Sequence, residues 1–126
     1  MKCISQCILL IAACAAAAGA TYAQTAPGYP TRPVRMIVPF APGGASDFVG
    51  RILQPKLSED LSQQVVIDNR AGASGNIGVE LSAHAPADGY TFLLGNVGTM
   101  AINPAVYVKF PVRPVRDLMC VSMVVD

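Results

Sequence analysis

The chain has 126 residues, which leaves room for one small domain at most. Nine Lys and Arg residues stand against eight Asp and Glu residues, so the formal net charge is +1. A charge this close to zero provides no basic field, and it argues against a nucleic-acid partner.

The first 23 residues predict a signal peptide. Lys2 supplies a minimal positive region, and residues 8–18 form an apolar core that is too short to span a bilayer comfortably. Thr21-Tyr22-Ala23 places small residues at the two positions that a signal peptidase reads, so we expect cleavage after Ala23. The run Ile11-Ala12-Ala13-Cys14 leaves a second interpretation open, in which the exported protein is a lipoprotein anchored through Cys14.

Removal of this leader changes the charge and the cysteine content. It carries one cation, Lys2, and no acid, so eight Lys and Arg residues then balance eight Asp and Glu residues. Cys3, Cys7 and Cys14 also leave with it, and Cys120 stays alone as a small core residue or part of a partner surface. The sequence therefore predicts no disulfide framework, no metal site and no cofactor.

The mature chain begins with a proline-rich stretch, 24–33, which predicts an extended lead-in. A strand is expected near 34–39 because of its β-branched residues. The glycine- and proline-rich turn 39–47 follows and leads into a helix, which Ser46 or Asp47 can cap. The first N–H groups of a helix lack intrahelical partners and lie at the positive end of its dipole, so this turn is a natural seat for a carboxylate or phosphate.

A long amphipathic helix is predicted next. Its apolar stripe consists of Val49, Leu53, Leu57 and Leu61 at four-residue intervals, with Phe48 and Ile52 beside them. Pro55 falls inside this pattern and removes a backbone hydrogen bond, so we expect a kink there or two helical pieces.

The pattern then repeats. A strand is predicted at 64–68, a glycine-bearing loop at 69–78, and a short helix that ends at Pro86. This helix is expected to turn Ile77, Leu81 and Ala85 inward. A third strand at 90–94 leads into a loop of small and polar residues at 95–99.

Alternating strands and helices of this kind predict a parallel α/β sheet, in which ligands bind outside the carboxyl ends of the strands. The loops 39–47, 69–78 and 95–99 should then lie at one edge. Beyond them we expect a short helix or turn at 102–107, a loop at 110–117 and the start of another strand at 119–125.

Several motifs together support a family resemblance. They are Pro33-Val34-Arg35-Met36-Ile37-Val38-Pro39-Phe40 with Gly43-Gly44-Ala45-Ser46-Asp47, the run from Val65 to Gly78, Ala87-Asp88-Gly89-Tyr90-Thr91, and Ile102-Asn103-Pro104. In this order they resemble the Bug-type periplasmic solute-binding receptors of tripartite tricarboxylate transporters. The resemblance covers nearly the whole mature chain.

The resemblance implies a fold, a ligand class and partners. The fold is the two-lobed type II periplasmic-binding-protein (flytrap) architecture, and the ligand is a small carboxylate, a dicarboxylate or an amino acid. Membrane permease subunits would receive that ligand. Main-chain N–H groups of the first loop would hold it. Asp47 is an acid near an anion site, so we assign it to capping or to fixing the loop and not to direct pairing with the ligand. The implied ligand-binding residues are Phe40, Pro42, Gly43, Gly44, Ala45, Ser46 and Asp47, with Ser74, Asn76, Asn96 and Thr99 from the neighbouring loops.

Members of that family are much longer and have a second lobe. The resemblance therefore implies that residues 34–118 form the N-terminal part of lobe one, and that 119–126 begin the strand crossing toward an absent lobe two. A non-functional fragment of such a receptor is one alternative. An exported enzyme on the same α/β frame is another, but no set of base, nucleophile and metal ligands supports it. The one histidine, His84, is expected on a solvated helix face.

Overall fold

The computed structural model describes residues 28–110 and 112–124. The predicted signal peptide, the alternative lipidation site at Cys14 and residues 24–27 of the lead-in lie outside the described residues. The described elements are β1 (Val34–Val38), α1 (Ala45–Asp60), β2 (Val65–Asn69), a 3₁₀ turn (Ala73–Gly75), α2 (Asn76–Ala83), β3 (Thr91–Leu93), a π-helical segment (Gly98–Ile102), α3 (Asn103–Val106) and α4 (Pro114–Asp117).

The three strands form one parallel sheet in the order β2, β1, β3. β1 pairs with β2 in a register that sets Val34 beside Val65, and with β3 in a register that sets Arg35 beside Thr91. The connection through α1 runs from β1 to β2, and the connection through α2 runs back from β2 past β1 to β3. Because these directions are opposite, right-handed crossovers place α1 and α2 on opposite faces of the sheet. The predicted α/β class and the alternation of strands and helices are confirmed.

The core lies between α1 and the sheet. Val34, Met36 and Val65 are buried there, and the half-buried Leu57 and Leu61 of α1 pack against them. Since adjacent strand residues point to opposite faces, the buried Ile37 of β1 lies on the face that α2 covers. Burial on both faces is what a central strand of a parallel sheet requires.

The predicted apolar stripe of α1 is confirmed only in part. Its four-residue series, Val49, Leu53, Leu57 and Leu61, is half-buried. Phe48 and Ile52 are instead 66% and 60% exposed. Each helical residue turns about 100°, which places these two side chains well to the outer side of the stripe.

Pro55 does not divide α1. The helix continues from Ala45 to Asp60 as one element of 16 residues, so the prediction of two helical pieces was wrong. Pro55 lies on the exposed side of the helix. Water can therefore reach the carbonyl group that loses its helical hydrogen bond.

The inward face of α2 also differs from the prediction. Ile77 and Leu81 are exposed, whereas Gly78 and Val79 are buried. Gly78 packs so closely on the end of β1 that a Cβ atom there would lie 2.8 Å from Cα of Pro39. This backbone contact sets the rotation of the helix and carries Ile77 outward.

The chain after β3 is more helical than predicted. Residues 97–106 are helical throughout, so Thr99 lies in a helical segment and not in a loop. The expected loop at 110–117 contains α4, and residues 119–124 form no strand. A strand needs a hydrogen-bonded neighbour, and within the described residues none of the three strands pairs with this segment. Residues 125–126 of the expected strand lie outside the described residues. Cys120 is exposed and is not a core residue.

The described part of the lead-in, 28–33, bends and packs at the amino end of β3. The Thr31 N–H donates to the Tyr90 hydroxyl at 2.9 Å, and the Arg32 guanidinium pairs with Asp88 at 2.8 Å. The same guanidinium lies 4.2 Å from the Tyr90 ring centroid, which is cation–π geometry. His84 is exposed at the end of α2, as predicted.

Candidate functional site

The loop between β1 and α1 is held from inside by Asp47. Gly44 occupies the N-cap position of α1 without a side-chain capping bond, so the prediction that Ser46 or Asp47 caps the helix was wrong. Asp47 is the third helical residue, and its Oδ2 accepts a hydrogen bond from the Gly43 N–H at 2.8 Å. The carboxylate thus reaches back past the N-cap residue to the turn that precedes the helix.

Two further donors complete the surroundings of this carboxylate. Nε of Arg51 donates to Oδ2 at 2.8 Å, and Nδ2 of Asn69 donates to Oδ1 at 2.9 Å. The same Asn69 nitrogen also donates to the Phe40 carbonyl at 3.1 Å, which ties the end of β2 to the loop after β1. Asp47 is only 2% exposed. The hydrogen bonds from Arg51, Gly43 and Asn69 hold the pKa of Asp47 well below its usual range, so the group is ionised at neutral pH.

This arrangement decides which backbone donors remain available. The Gly43 N–H is taken by Asp47, and the Gly44 N–H makes a long bond of 3.4 Å to the Ala41 carbonyl. The N–H groups of Ala45, Ser46 and Asp47 have no acceptor among residues 28–110 and 112–124. These three groups lie in the first turn of a 16-residue helix, where the positive end of the helix dipole favours an anion.

The loop after β2 is tied to the helical segment after β3. The Ser74 carbonyl accepts a hydrogen bond from Nδ2 of Asn103 at 2.9 Å, and the Ser74 hydroxyl accepts one from the Tyr107 hydroxyl at 3.2 Å. The Asn103 amide also donates to Oδ1 of Asn76 at 2.5 Å. Asn76 and Asn103 are both buried, so their side chains serve this internal connection.

The loop after β3 is closed by a reciprocal pair of hydrogen bonds. The Asn96 N–H donates to the Thr99 hydroxyl at 3.1 Å, and the Thr99 N–H donates to Oδ1 of Asn96 at 3.0 Å. This geometry is that of a capping box at the start of a helical segment. Thr99 is fully buried, whereas Asn96 is exposed.

Gly75 is the point where the three loops meet. A Cβ atom on this residue would lie 2.6 Å from Cγ2 of Thr99, 3.3 Å from the Pro39 carbonyl oxygen and 3.4 Å from Cζ of Phe40. Gly75 itself has a φ of 90°, a conformation that favours glycine. The carboxyl ends of all three strands are therefore joined in one compact edge.

The expected site residues divide into two groups. The loop surface is formed by exposed or half-buried residues, namely Phe40, Pro42, Gly43, Gly44, Ala45, Ser46, Ser74 and Asn96. Asp47, Asn76 and Thr99 are buried, and their side chains are bonded within the protein.

Sequence reasoning missed four residues that hold these loops: Arg51, Asn69, Asn103 and Tyr107. Only the polar residues at strand ends, such as Asn69 at the carboxyl end of β2, gave a local signal. Asn103 and Tyr107 act across 27 to 33 residues, a separation that no helical or strand period can encode.

The described residues contain neither a metal-binding cluster of side chains nor a membrane-crossing helix. Within 28–110 and 112–124, no three His, Cys, Asp or Glu side chains come together as a metal-binding group. No helix in the same ranges combines the length and the apolar character that crossing a membrane demands.

Comparison with known proteins supplies a family. The model of the TctC family, described as the tripartite tricarboxylate transporter family receptor, matches residues 49–126. The Protein BugT of Bordetella pertussis is 44% identical over 112 residues, which are 88% of this chain and 34% of that protein. The chain spans about a third of the length of the curated relatives that it matches.

Two solved structures from Rhodopseudomonas palustris are similar in fold and sequence. Rpa4515 with adipate is 46% identical with a TM-score of 0.66, and the match covers 69% of this chain and 29% of that one. MatC with bound malate is 37% identical with a TM-score of 0.68, and the match covers 71% of this chain and 30% of that one.

Proposed function

Because this chain belongs to the tripartite tricarboxylate transporter receptor family, we propose that it provides the first-lobe half of a periplasmic binding site for a small carboxylate. The carboxylate would be passed to the permease subunits of a tripartite tricarboxylate-type transporter. Export would depend on the leader expected at 1–23. In this assignment the chain is a receptor and performs no catalysis.

One observation carries the proposal: the N–H groups of Ala45 and Ser46, which have no acceptor within the described residues, lie at the amino end of a long helix, on the edge where three loops meet. A carboxylate needs several donors and a positive potential, and a helix terminus supplies both without a cationic side chain. The loop glycines add access, since Gly43 and Gly44 present no Cβ atom to an approaching ligand.

We assign the exposed loop residues to the ligand surface and the buried ones to its support. Phe40, Pro42, Gly43 and Gly44 would shape the surface, and Ala45 and Ser46 would donate to the ligand. Ser74 and Asn96 would approach it from the neighbouring loops. The remaining expected residues, Asp47, Asn76 and Thr99, would act by holding the loops in place.

The ligand class follows from the relatives. One of them was solved with adipate and another with malate, both of which are dicarboxylates. A dicarboxylate suits a two-lobed site, because one carboxylate can lie on the loops of each lobe. We assign 34–118 to lobe one and 119–126 to the passage toward lobe two. Closure of a two-lobed receptor buries the ligand and removes water from its contacts, so the contacts of lobe one by themselves should bind more weakly than the closed site.

Nuclear magnetic resonance (NMR) titration of the ¹⁵N-labelled full chain tests the proposal. Adipate and malate should shift the amide signals of Ala45 and Ser46, and the uncharged diamide of adipic acid should leave them in place. Equal shifts with the diamide would exclude a carboxylate site. No shift at all, together with an unfolded circular dichroism spectrum, would favour the alternative of a non-functional fragment.

A further inference from the structure

We propose that the Asp47 carboxylate selects the ligand donors of the first loop, and that Arg51 cancels the negative charge which this selection introduces. The charge-cancelling half of this inference rests on the proposed carboxylate-binding function. The donor-selecting half concerns the unliganded loop and stands on its own geometry.

Donor selection follows from the contacts of the two carboxylate oxygens. Oδ2 accepts from the Gly43 N–H at 2.8 Å, and Oδ1 accepts from Asn69 at 2.9 Å. Gly43 is exposed and its N–H donates to Asp47, so without this acceptor the N–H would be one more unpaired donor on the loop. Asp47 removes that donor and leaves the N–H groups of Ala45, Ser46 and Asp47 itself, which have no acceptor within the described residues, for a ligand carboxylate.

This use of Asp47 has an electrostatic cost. The residue is 2% exposed and lies two positions from Ala45, so an uncompensated negative charge would repel any carboxylate on the same turn. The Asn69 amide stabilises the ionised form but brings no charge. Arg51 brings a positive charge, because its Nε lies 2.8 Å from Oδ2 of Asp47. The Asp47–Arg51 pair then has no net charge to repel a ligand carboxylate.

Arg51 is suited to substitution because its side chain is 55% exposed. Its replacement by glutamine removes charge with little loss of burial. Lys56 offers a matched control on the same helix, since it makes ion pairs with Glu59 at 3.1 Å and Asp60 at 2.9 Å on the exposed surface. Lys56→Gln removes the same unit of charge without touching Asp47.

Amide hydrogen exchange in the unliganded full chain tests donor selection. The Gly43 amide should exchange slowly, whereas those of Ala45 and Ser46 should exchange near the rate of an unprotected amide. Asp47→Asn should speed exchange at Gly43 about tenfold or more. If Gly43 in the unsubstituted protein exchanges as fast as Ala45, the selection by Asp47 is refuted, whatever the ligand data show.

Adipate titration at low and high salt tests charge cancellation. Arg51→Gln should weaken binding about five- to tenfold at low ionic strength, and added salt should recover much of the loss by screening the repulsion. Arg51→Lys should restore most of the affinity, and Lys56→Gln should change it by less than twofold. A loss in Arg51→Gln that is independent of salt, or that Arg51→Lys does not relieve, would overturn the charge-cancelling role. If the unsubstituted protein binds no adipate, the proposed function fails and this half fails with it, while the exchange data still decide the other half.

Discussion

Gly75 and Thr99 are in van der Waals contact although 24 residues of chain separate them. A Cβ atom at Gly75 would lie only 2.6 Å from Cγ2 of Thr99, closer than real Cβ contacts come. The carbonyl oxygen of Pro39 and the ring of Phe40 lie 3.3 and 3.4 Å from the same Cβ position. One residue without a side chain therefore allows the loops after all three strands to approach each other.

Substitution of this glycine should be costly. In Gly75→Ala the added methyl group collides with Thr99, and alanine must adopt a φ of 90°. We expect a loss of about 2 to 4 kcal/mol in the free energy of unfolding, measured by urea denaturation of the full chain. Gly28→Ala is the matched control, because no atom of residues 28–110 and 112–124 lies within 4 Å of its Cβ position. Equal stability of the two variants would show that the loops do not pack as described.

The two glycines of the first loop are not equivalent as tests of ligand binding. Gly43 has a φ of 83°, so valine there would strain the backbone as well as block a ligand. Gly44 is extended, with a φ of −81°, and in the described part of the chain its Cβ position meets only the Ala41 carbonyl oxygen, at 3.5 Å. Valine fits that backbone.

Gly44→Val should therefore abolish adipate binding while the melting temperature changes by no more than about 2 °C. Calorimetric titration and thermal unfolding of the same sample measure the two effects. An unchanged affinity would remove this loop from the proposed site, and a large fall in melting temperature would mean that Gly44 serves the fold.

The strands and helices of this fold could be predicted from the sequence because each has its own local period of apolar residues. β-branched runs and four-residue spacing predicted β1, α1 and β2 closely, and parallel strand order then placed their loops at one edge. Ile77 and Leu81 were misassigned for a reason that local pattern cannot reveal. The contact of Gly78 with Pro39 brings a residue without a side chain to the inner face, and the apolar neighbours turn outward.

The support of the candidate site was harder to predict for a related reason. An acidic residue in the first turn of a helix commonly caps or faces solvent, and the sequence does not reveal that Asp47 turns back to Gly43. Its other partner, Asn69, lies 22 residues away on another strand. Such contacts arise only after the sheet has formed, so the sequence predicted the loops and a loop-fixing role for Asp47, but not Asn69 as the partner of Asp47.

Thr99 illustrates how buried hydroxyl groups fix these loops. Its hydroxyl accepts from the Asn96 N–H at 3.1 Å and donates to the Asn96 carbonyl at the same distance. Thr99→Val keeps the shape but leaves the Asn96 N–H without this acceptor, which should cost about 1 to 2 kcal/mol of stability. Thr91→Val is the control, since within the described residues the Thr91 hydroxyl makes no side-chain hydrogen bond. Urea unfolding should therefore separate the two variants, and similar midpoints would argue against the Asn96–Thr99 pair.

Because Asp47 is ionised in the folded protein, the free energy of unfolding should depend on pH in the acidic range. Hydrogen bonds from Arg51, Gly43 and Asn69 place its pKa in the folded protein below that of an unfolded aspartate, which is about 3.9. A depressed folded pKa means that the contribution to stability is complete above the unfolded pKa and is lost as pH falls below it. Burial opposes ionisation of Asp68, but Arg35 and Arg70 outweigh it and lower its pKa as well, so this residue acts in the same direction.

The unfolding free energy should accordingly fall as the pH drops from about 5 toward 2. Asp47→Asn should be less stable than the unsubstituted protein at pH 7, and its stability should fall less steeply in acid because one of the linked protons is missing. Asp68→Asn should flatten the curve in the same way, through a separate ion pair on β2. Urea titrations at several pH values measure the slopes. If Asp47→Asn keeps the full acid slope, then Asp47 does not titrate below the unfolded value, and the hydrogen bonds to its carboxylate do not form in solution.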